Sequence, residues 1–143
     1  MSVEEIKALE RHWFEMMNKG KAATMTEIDE TCAANVVFHS GLGRDIRGIN
    51  DYKKFMSEFY DALPDIRFTL DDVVVEGDKA VTRYTVTGTH KGAFAGIPPT
   101  NKTVTLWAIE IDRIVSGKLV EGWGRYDTLG FMQQLGVIPR PKK

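Results

Sequence analysis

The spacing of apolar residues changes period along this chain, and the changes mark its elements. After Ser2, the residues Ile6, Leu9, Trp13, Met16 and Met17 recur every three or four positions, which predicts a helix with one buried face. Ser2 with Glu5 forms a capping box at its start, and Gly20 is placed to end it. Thr24 with Glu27 offers a second capping box for a shorter helix through about Ala33, and Val36 to Ser40 reads as a short strand. Gly41 to Gly48 is glycine-rich and reads as a loop. Asn50 is placed to cap a third helix with Tyr52, Phe55, Met56, Phe59 and Leu63 on its apolar face, ended by Pro64.

Beyond Pro64 the period drops to two. Asp65 to Glu76 and Lys79 to Lys91 read as strands joined by a tight turn at Gly77-Asp78. Gly92 to Lys102, with its glycines and prolines, is a loop that either covers a cavity mouth or only joins two strands. Thr103 to Val115 and Lys118 to Asp127 form a hairpin around Ser116-Gly117, and Thr128 to Gly136 is a short final helix. Helices first and strands after predict an α+β fold: a curved antiparallel sheet packed against three helices from the N-terminal half, as one domain over residues 1–143.

If Val115 pairs with Lys118, one hairpin face carries Leu106, Ala108, Glu110, Trp123, Arg125 and Asp127. The other carries Trp107, Ile109, Ile111, Val120, Gly122, Gly124 and Tyr126. Helices cover only one face of a sheet. The charged face suits a partly wet cleft beneath them, because a dry core makes Glu110, Arg125 and Asp127 costly. The face with Trp107 and Tyr126 then needs a partner, which predicts a homodimer. A register slip of one residue exchanges these roles, with Trp107 and Tyr126 lining the cavity instead.

Composition narrows the function classes. At 143 residues the chain has enough length for one sizeable core. A formal net charge of −1 gives no long-range attraction for nucleic acid. No apolar run is long enough to span a membrane, and Met1-Ser2-Val3-Glu4-Glu5 lacks signal-peptide character, so a cytoplasmic location is expected. The single cysteine, Cys32, reads as a small core residue. The three histidines lack metal-ligand spacing.

The candidate chemistry lies on the strands. Asp127 sits at a strand end beside Trp123 and Arg125, a setting for a tuned acid; the plain alternative is a surface ion pair between Arg125 and Asp127. His39, on the first strand, titrates near neutrality and is placed to relay a proton. Tyr84 and Arg83 face opposite ways, so one of them reaches the cavity. Trp13 and Phe59 belong to helical apolar faces that build either core or pocket roof.

Several short runs are shared with a known family: Gly88-Thr89-His90-Lys91-Gly92, Gly96-Ile97-Pro98-Pro99-Thr100, Gly117-Lys118-Leu119-Val120-Glu121-Gly122-Trp123, then Asp127 and Gln134-Leu135-Gly136. The ordered set, from about Glu5 to Gly136, resembles the SnoaL-like polyketide cyclase family of the nuclear-transport-factor-2-like superfamily. The resemblance implies a cone-shaped α+β barrel around a deep cavity, with a site free of cofactor and metal. It implies that Asp127, nine residues before Gly136, is the acid–base catalyst of an aldol closure; Arg125 or His39 is placed to stabilise the developing oxyanion. Glu110, Trp123, Tyr84, Phe59 and Trp13 then contact the small-molecule substrate, an apolar carbonyl compound. Glu110 stands where the cyclases carry a histidine. Isomerisation, dehydration, hydrolysis with Asp127 and Glu110 activating a water, and ligand binding without catalysis are the alternatives within the superfamily.

Overall fold

The computed structural model describes residues 1–142. Helix α1 (Val3–Asn18) begins at the expected capping box, with Ser2 and Glu5 satisfying each other's amides at 3.1 and 3.2 Å. Gly20, at φ 114°, starts α2 (Lys21–Thr31) rather than ending α1. Thr24 and Glu27 therefore lie inside α2, where both are buried and Thr24 Oγ1 meets Tyr60 Oη at 2.7 Å. Strand β1 (Cys32–His39) follows. The glycine-rich segment after it holds a three-residue strand, β2 (Asp45–Arg47), that the composition hid. Helix α3 (Ile49–Ala62) is capped by Gly48, two residues earlier than the Asn50 expectation, and buries Tyr52, Phe55, Met56 and Phe59 as expected.

The remaining strands are β3 (Arg67–Glu76), β4 (Lys79–Thr89), β5 (Thr103–Val115) and β6 (Lys118–Tyr126), with α4 (Thr128–Leu135) at the end. The sheet runs β2-β1-β6-β5-β4-β3. It is curved and unclosed, and it is mixed rather than purely antiparallel, because β1 lies parallel to β6. Helices α1 and α3 cover its inner face, giving the expected α+β fold.

One irregularity decides the geometry of the site. The β5–β6 pairing begins as expected at Val115↔Lys118 and Ile114↔Leu119, then jumps to Arg113↔Glu121. Val120 is the extra residue of a β-bulge, and every residue of β6 beyond it changes face. Gly122, Gly124 and Tyr126 turn inward beside Glu110, whereas Trp123 and Arg125 turn outward with Trp107, Ile109 and Ile111. The inner glycines have a packing reason: a Cβ at either would lie 2.8 or 2.7 Å from the ring of Phe38. The expected dimer face is corrected accordingly. Trp107 is on the outer surface and 52% exposed, but Tyr126 is on the opposite face and contacts Phe59.

Candidate functional site

The inner positions of β5 alternate as Leu106, Ala108, Glu110 and Asp112, all buried. Opposite them, β4 presents Tyr84, and the helices present Trp13, Tyr52, Phe55 and Phe59. The aromatic rings interlock edge to face: Phe14 on Tyr84 at 5.2 Å, Phe55 on Phe59 at 5.1 Å. Between them the enclosed space is about 20 Å³ beside Glu110 and about 40 Å³ in a recess toward Glu10 and Asp112, the scale of one or two waters. The deep cavity implied by the family resemblance is thus largely filled by side chains.

Three carboxyl groups meet in this interior. Glu110 and Asp112 come from β5, and Glu10 comes from the apolar stripe of α1, four residues after Ile6. They are in hydrogen-bonding contact, with Asp112 between the two glutamates. No lysine or arginine among the described residues pairs with any of them within 4.0 Å. Burial raises Glu110 well above the ordinary carboxylate range, and Asp112 beside it raises it further. Glu10 is raised for the same two reasons, burial first. Burial also raises Asp112, but hydrogen bonds from Glu10 and Glu110 hold it down. The consistent assignment is a shared set of protons, with the two glutamic acids donating to Asp112.

Phenols complete the wall. Tyr84 Oη donates to Glu110 Oε1 at 3.4 Å, a long bond, and Tyr126 lies in hydrogen-bonding contact with Tyr84. Burial raises Tyr52, Tyr84 and Tyr126, so all three keep their protons at neutral pH. Burial and the nearby Asp112 push the Cys32 thiol up to about 12, which leaves it a neutral core group.

Of the residues singled out from sequence, Glu110, Tyr84, Phe59 and Trp13 meet in this interior, and Trp123 does not. The three expected catalytic residues all lie outside it. Asp127 is exposed and caps α4, its Oδ1 accepting from the Gly130 amide at 3.0 Å. Arg125 is exposed and donates from Nη1 to the Gly124 carbonyl at 2.7 Å, with no ion pair to Asp127. His39 lies between two carboxylates on the outer side, its Nδ1 donating to Asp45 at 2.9 Å and Nε2 to Glu121 at 2.8 Å, and it stacks on Trp123. The bond to Glu121, then that to Asp45, raises its pKa, so the imidazolium straps β1, β2 and β6 together. Asp127 and Glu110 consequently sit on opposite faces of the sheet, which removes the paired-carboxylate arrangement for activating a water. Among the described residues, no three His, Cys, Asp or Glu side chains group as metal ligands.

A second, wider cleft opens beside the interior. It holds about 470 Å³ between the loop after β1, α3, the Gly92–Thr100 loop and α4, with Leu42, Ile46, Phe94 and Met132 on its walls. Phe55 and Phe59 belong to both spaces: they are the floor of the cleft and the wall of the interior. The loop supplies Phe94, which packs on Phe59 and Phe131 at 5.6 Å each. The size is that of a small-molecule site.

Comparison with known proteins agrees with this architecture. AclR of Streptomyces galilaeus, described as a candidate hydroxylase, superposes with a TM-score of 0.84 at 28% identity over 99% of this chain and 87% of its own. TsrD of Streptomyces laurentii matches at 28% identity and a TM-score of 0.84, over 96% of this chain and 99% of its own. IdmH of Streptomyces antibioticus, described as a candidate polyketide cyclase, matches at 25% identity and a TM-score of 0.77, over 91% and 97%. No curated protein matches the sequence. No helix among the described residues is long and apolar enough to cross a membrane. The sequence model of the SnoaL-like polyketide cyclases matches residues 7–135, from within α1 to the end of α4, and the chain belongs to that family.

Proposed function

We propose that the chain is an acid–base enzyme for an apolar carbonyl compound, with Glu110 as the proton donor. One observation carries this reading: a buried carboxyl with no cationic partner, set in an aromatic wall beside two protonated tyrosines. Such an acid holds its proton to higher pH than an ordinary carboxyl and can therefore donate it. When substrate is bound it turns its proton from Asp112 to the carbonyl oxygen and gives it up as negative charge develops there, a transfer that aldol closure, enolisation and dehydration share. Tyr84 and Tyr126 steady the same charge. The substrate body occupies the apolar cleft and reaches Glu110 past Phe55 and Phe59. The chemistry draws only on side-chain groups and asks for no cofactor.

A ligand-binding module without catalysis is the second reading, favoured by the small free volume next to Glu110. A thermal-shift screen of apolar ketones and epoxides, followed by product analysis of the hits, separates the two. A ligand at 100 times its dissociation constant adds about 2.7 kcal/mol of stability. Turnover that survives Asp127→Asn supports the acid at Glu110. Turnover abolished by Asp127→Asn returns the catalytic role to the helix cap, and binding with no product supports the module.

A homodimer is expected through the outer face of β4, β5 and β6. Trp107, Ile109 and Ile111 are exposed there, and Trp123 is half-buried. The flanking charges occur as internally neutral pairs, Arg83 with Asp72 and Arg113 with Glu121, so two copies can meet about a two-fold axis without a charge mismatch. Trp107→Lys with Ile109→Lys is expected to move the protein from dimer to monomer in sedimentation velocity; a wild-type monomer would refute the interface.

A further inference from the structure

The acid at Glu110 needs its proton back after each turnover, and the carboxyl cluster behind it has the arrangement to supply one. Glu10, Asp112 and Glu110 form a continuous row from α1 to the middle of β5. All three carboxyls border a recess distinct from the substrate cleft, with Glu10 on the α1 side and Glu110 on the β5 side. That recess is bordered by Leu9, Gly117 and Leu119, which are half-buried and bring it to the surface near the β5–β6 turn. The wide cleft lies beyond Phe55 and Phe59 and shares neither Glu10 nor Asp112. A substrate seated in the cleft would therefore leave the recess open.

A second observation points the same way. Asp112 is 4% exposed, and its Oδ1 has no donor in the structure unless a neighbouring acid carries a proton. A buried acceptor is not left unpaired without cost, so the proton on Glu10 or Glu110 is part of the fold. The groups facing the row are Cys32 from β1, Tyr52 from α3, Tyr84 from β4 and Tyr126 from β6. All four are neutral acids at pH 7, and no base competes for the proton.

We infer that Glu10 and Asp112 are a proton conduit that recharges Glu110 from the recess while substrate occupies the opposite cleft. This rests on the reading of Glu110 as the acid. The transfer balances: Glu110 gives its proton to the substrate oxygen and becomes a carboxylate. Asp112, holding a proton from Glu10, passes one to Glu110, and Glu10 takes a proton from water at the recess. Glu10 and Asp112 are positioning residues in this scheme, since neither touches the substrate.

The test uses the intact protein and deuterium oxide as the probe. Stopped-flow infrared spectroscopy follows the C=O stretch of the protonated carboxylic acid, which falls in frequency on deuteration. In the wild type at neutral pH the band is expected to be present and to shift within the mixing time. In Asp112→Asn, and in Leu9→Trp, which fills the recess rim and keeps all three carboxyls, deuteration has to wait for local opening and is expected to slow by about tenfold or more. Val74→Trp, at an exposed position of β3 away from both spaces, leaves the rate unchanged. Equal rates in all four proteins would overturn the conduit alone. Absence of the band in the wild type would overturn the neutral acid at Glu110, and the conduit with it. A structural role for Asp112 predicts lower stability in Asp112→Asn but no rate effect in Leu9→Trp.

Discussion

Glu110→Gln is expected to lower turnover of an accepted carbonyl substrate by about 10²- to 10⁴-fold, the usual worth of a positioned general acid. Glutamine keeps the volume and a hydrogen-bond donor, but it cannot release a proton. Substrate binding should change little, so kcat and kcat/KM should fall together, the mark of an interaction made in the transition state. Folding is not at risk from this change. The amide still accepts from Tyr84 and still fills its place against Asp112, and it removes an ionisable group from a site that disfavours charge. Tyr84→Phe should cost less, because Tyr126 remains to face the developing oxyanion. A Glu110→Gln enzyme within a few-fold of wild type would dismiss Glu110 as the acid.

The elements were legible where local periodicity decides them. The helical stripe of α1, the aromatic face of α3 and the turns at Gly77-Asp78 and Ser116-Gly117 all lie where the pattern places them. Long-range pairing was not legible. The three-residue β2 is too short for a period, and only contact with β1 makes it a strand. The parallel β1–β6 ladder joins segments far apart in the chain, which no local pattern records. The largest correction has one cause. The hairpin register is right at its turn and wrong past Val120, where the bulge inserts one residue and reverses the faces of Trp123 and Arg125. The glycines at 122 and 124 were the available signal, since an outward β-strand position has no reason to lack a side chain, whereas Phe38 gives an inward one a reason. Glu10 carried a signal too: a charged residue four positions after Ile6 and four before Phe14, inside an apolar stripe. Asp112 follows Glu110 at period two on the same face of β5.

The same carboxyl cluster makes the stability of this protein run against the usual acid sensitivity. Glu10, Glu110 and Asp112 all have folded-state pKa values above their unfolded ones, chiefly through burial. Below the unfolded carboxyl value, both states are protonated and the contribution of the cluster is fully present. As pH rises from there, the unfolded chain loses its protons while the fold retains them. Stability then falls by about 1.4 kcal/mol per pH unit for each retained proton, until the folded values are passed. His39 is raised as well and has the same sign near neutrality. Glu5, Asp51, Asp65 and Glu121 are lowered and oppose the trend at lower pH, so the clean window starts at about pH 4.5, above the ordinary carboxylate values. Urea unfolding across that window should show wild-type stability declining toward pH 8. The triple variant Glu10→Gln, Asp112→Asn, Glu110→Gln should lose most of this slope and keep only the part due to His39. The difference between the two curves isolates the cluster, because every other titrating group is common to both. Parallel curves would mean that the three carboxyls ionise in the fold as they do in the unfolded chain, and the proton-sharing assignment would fall.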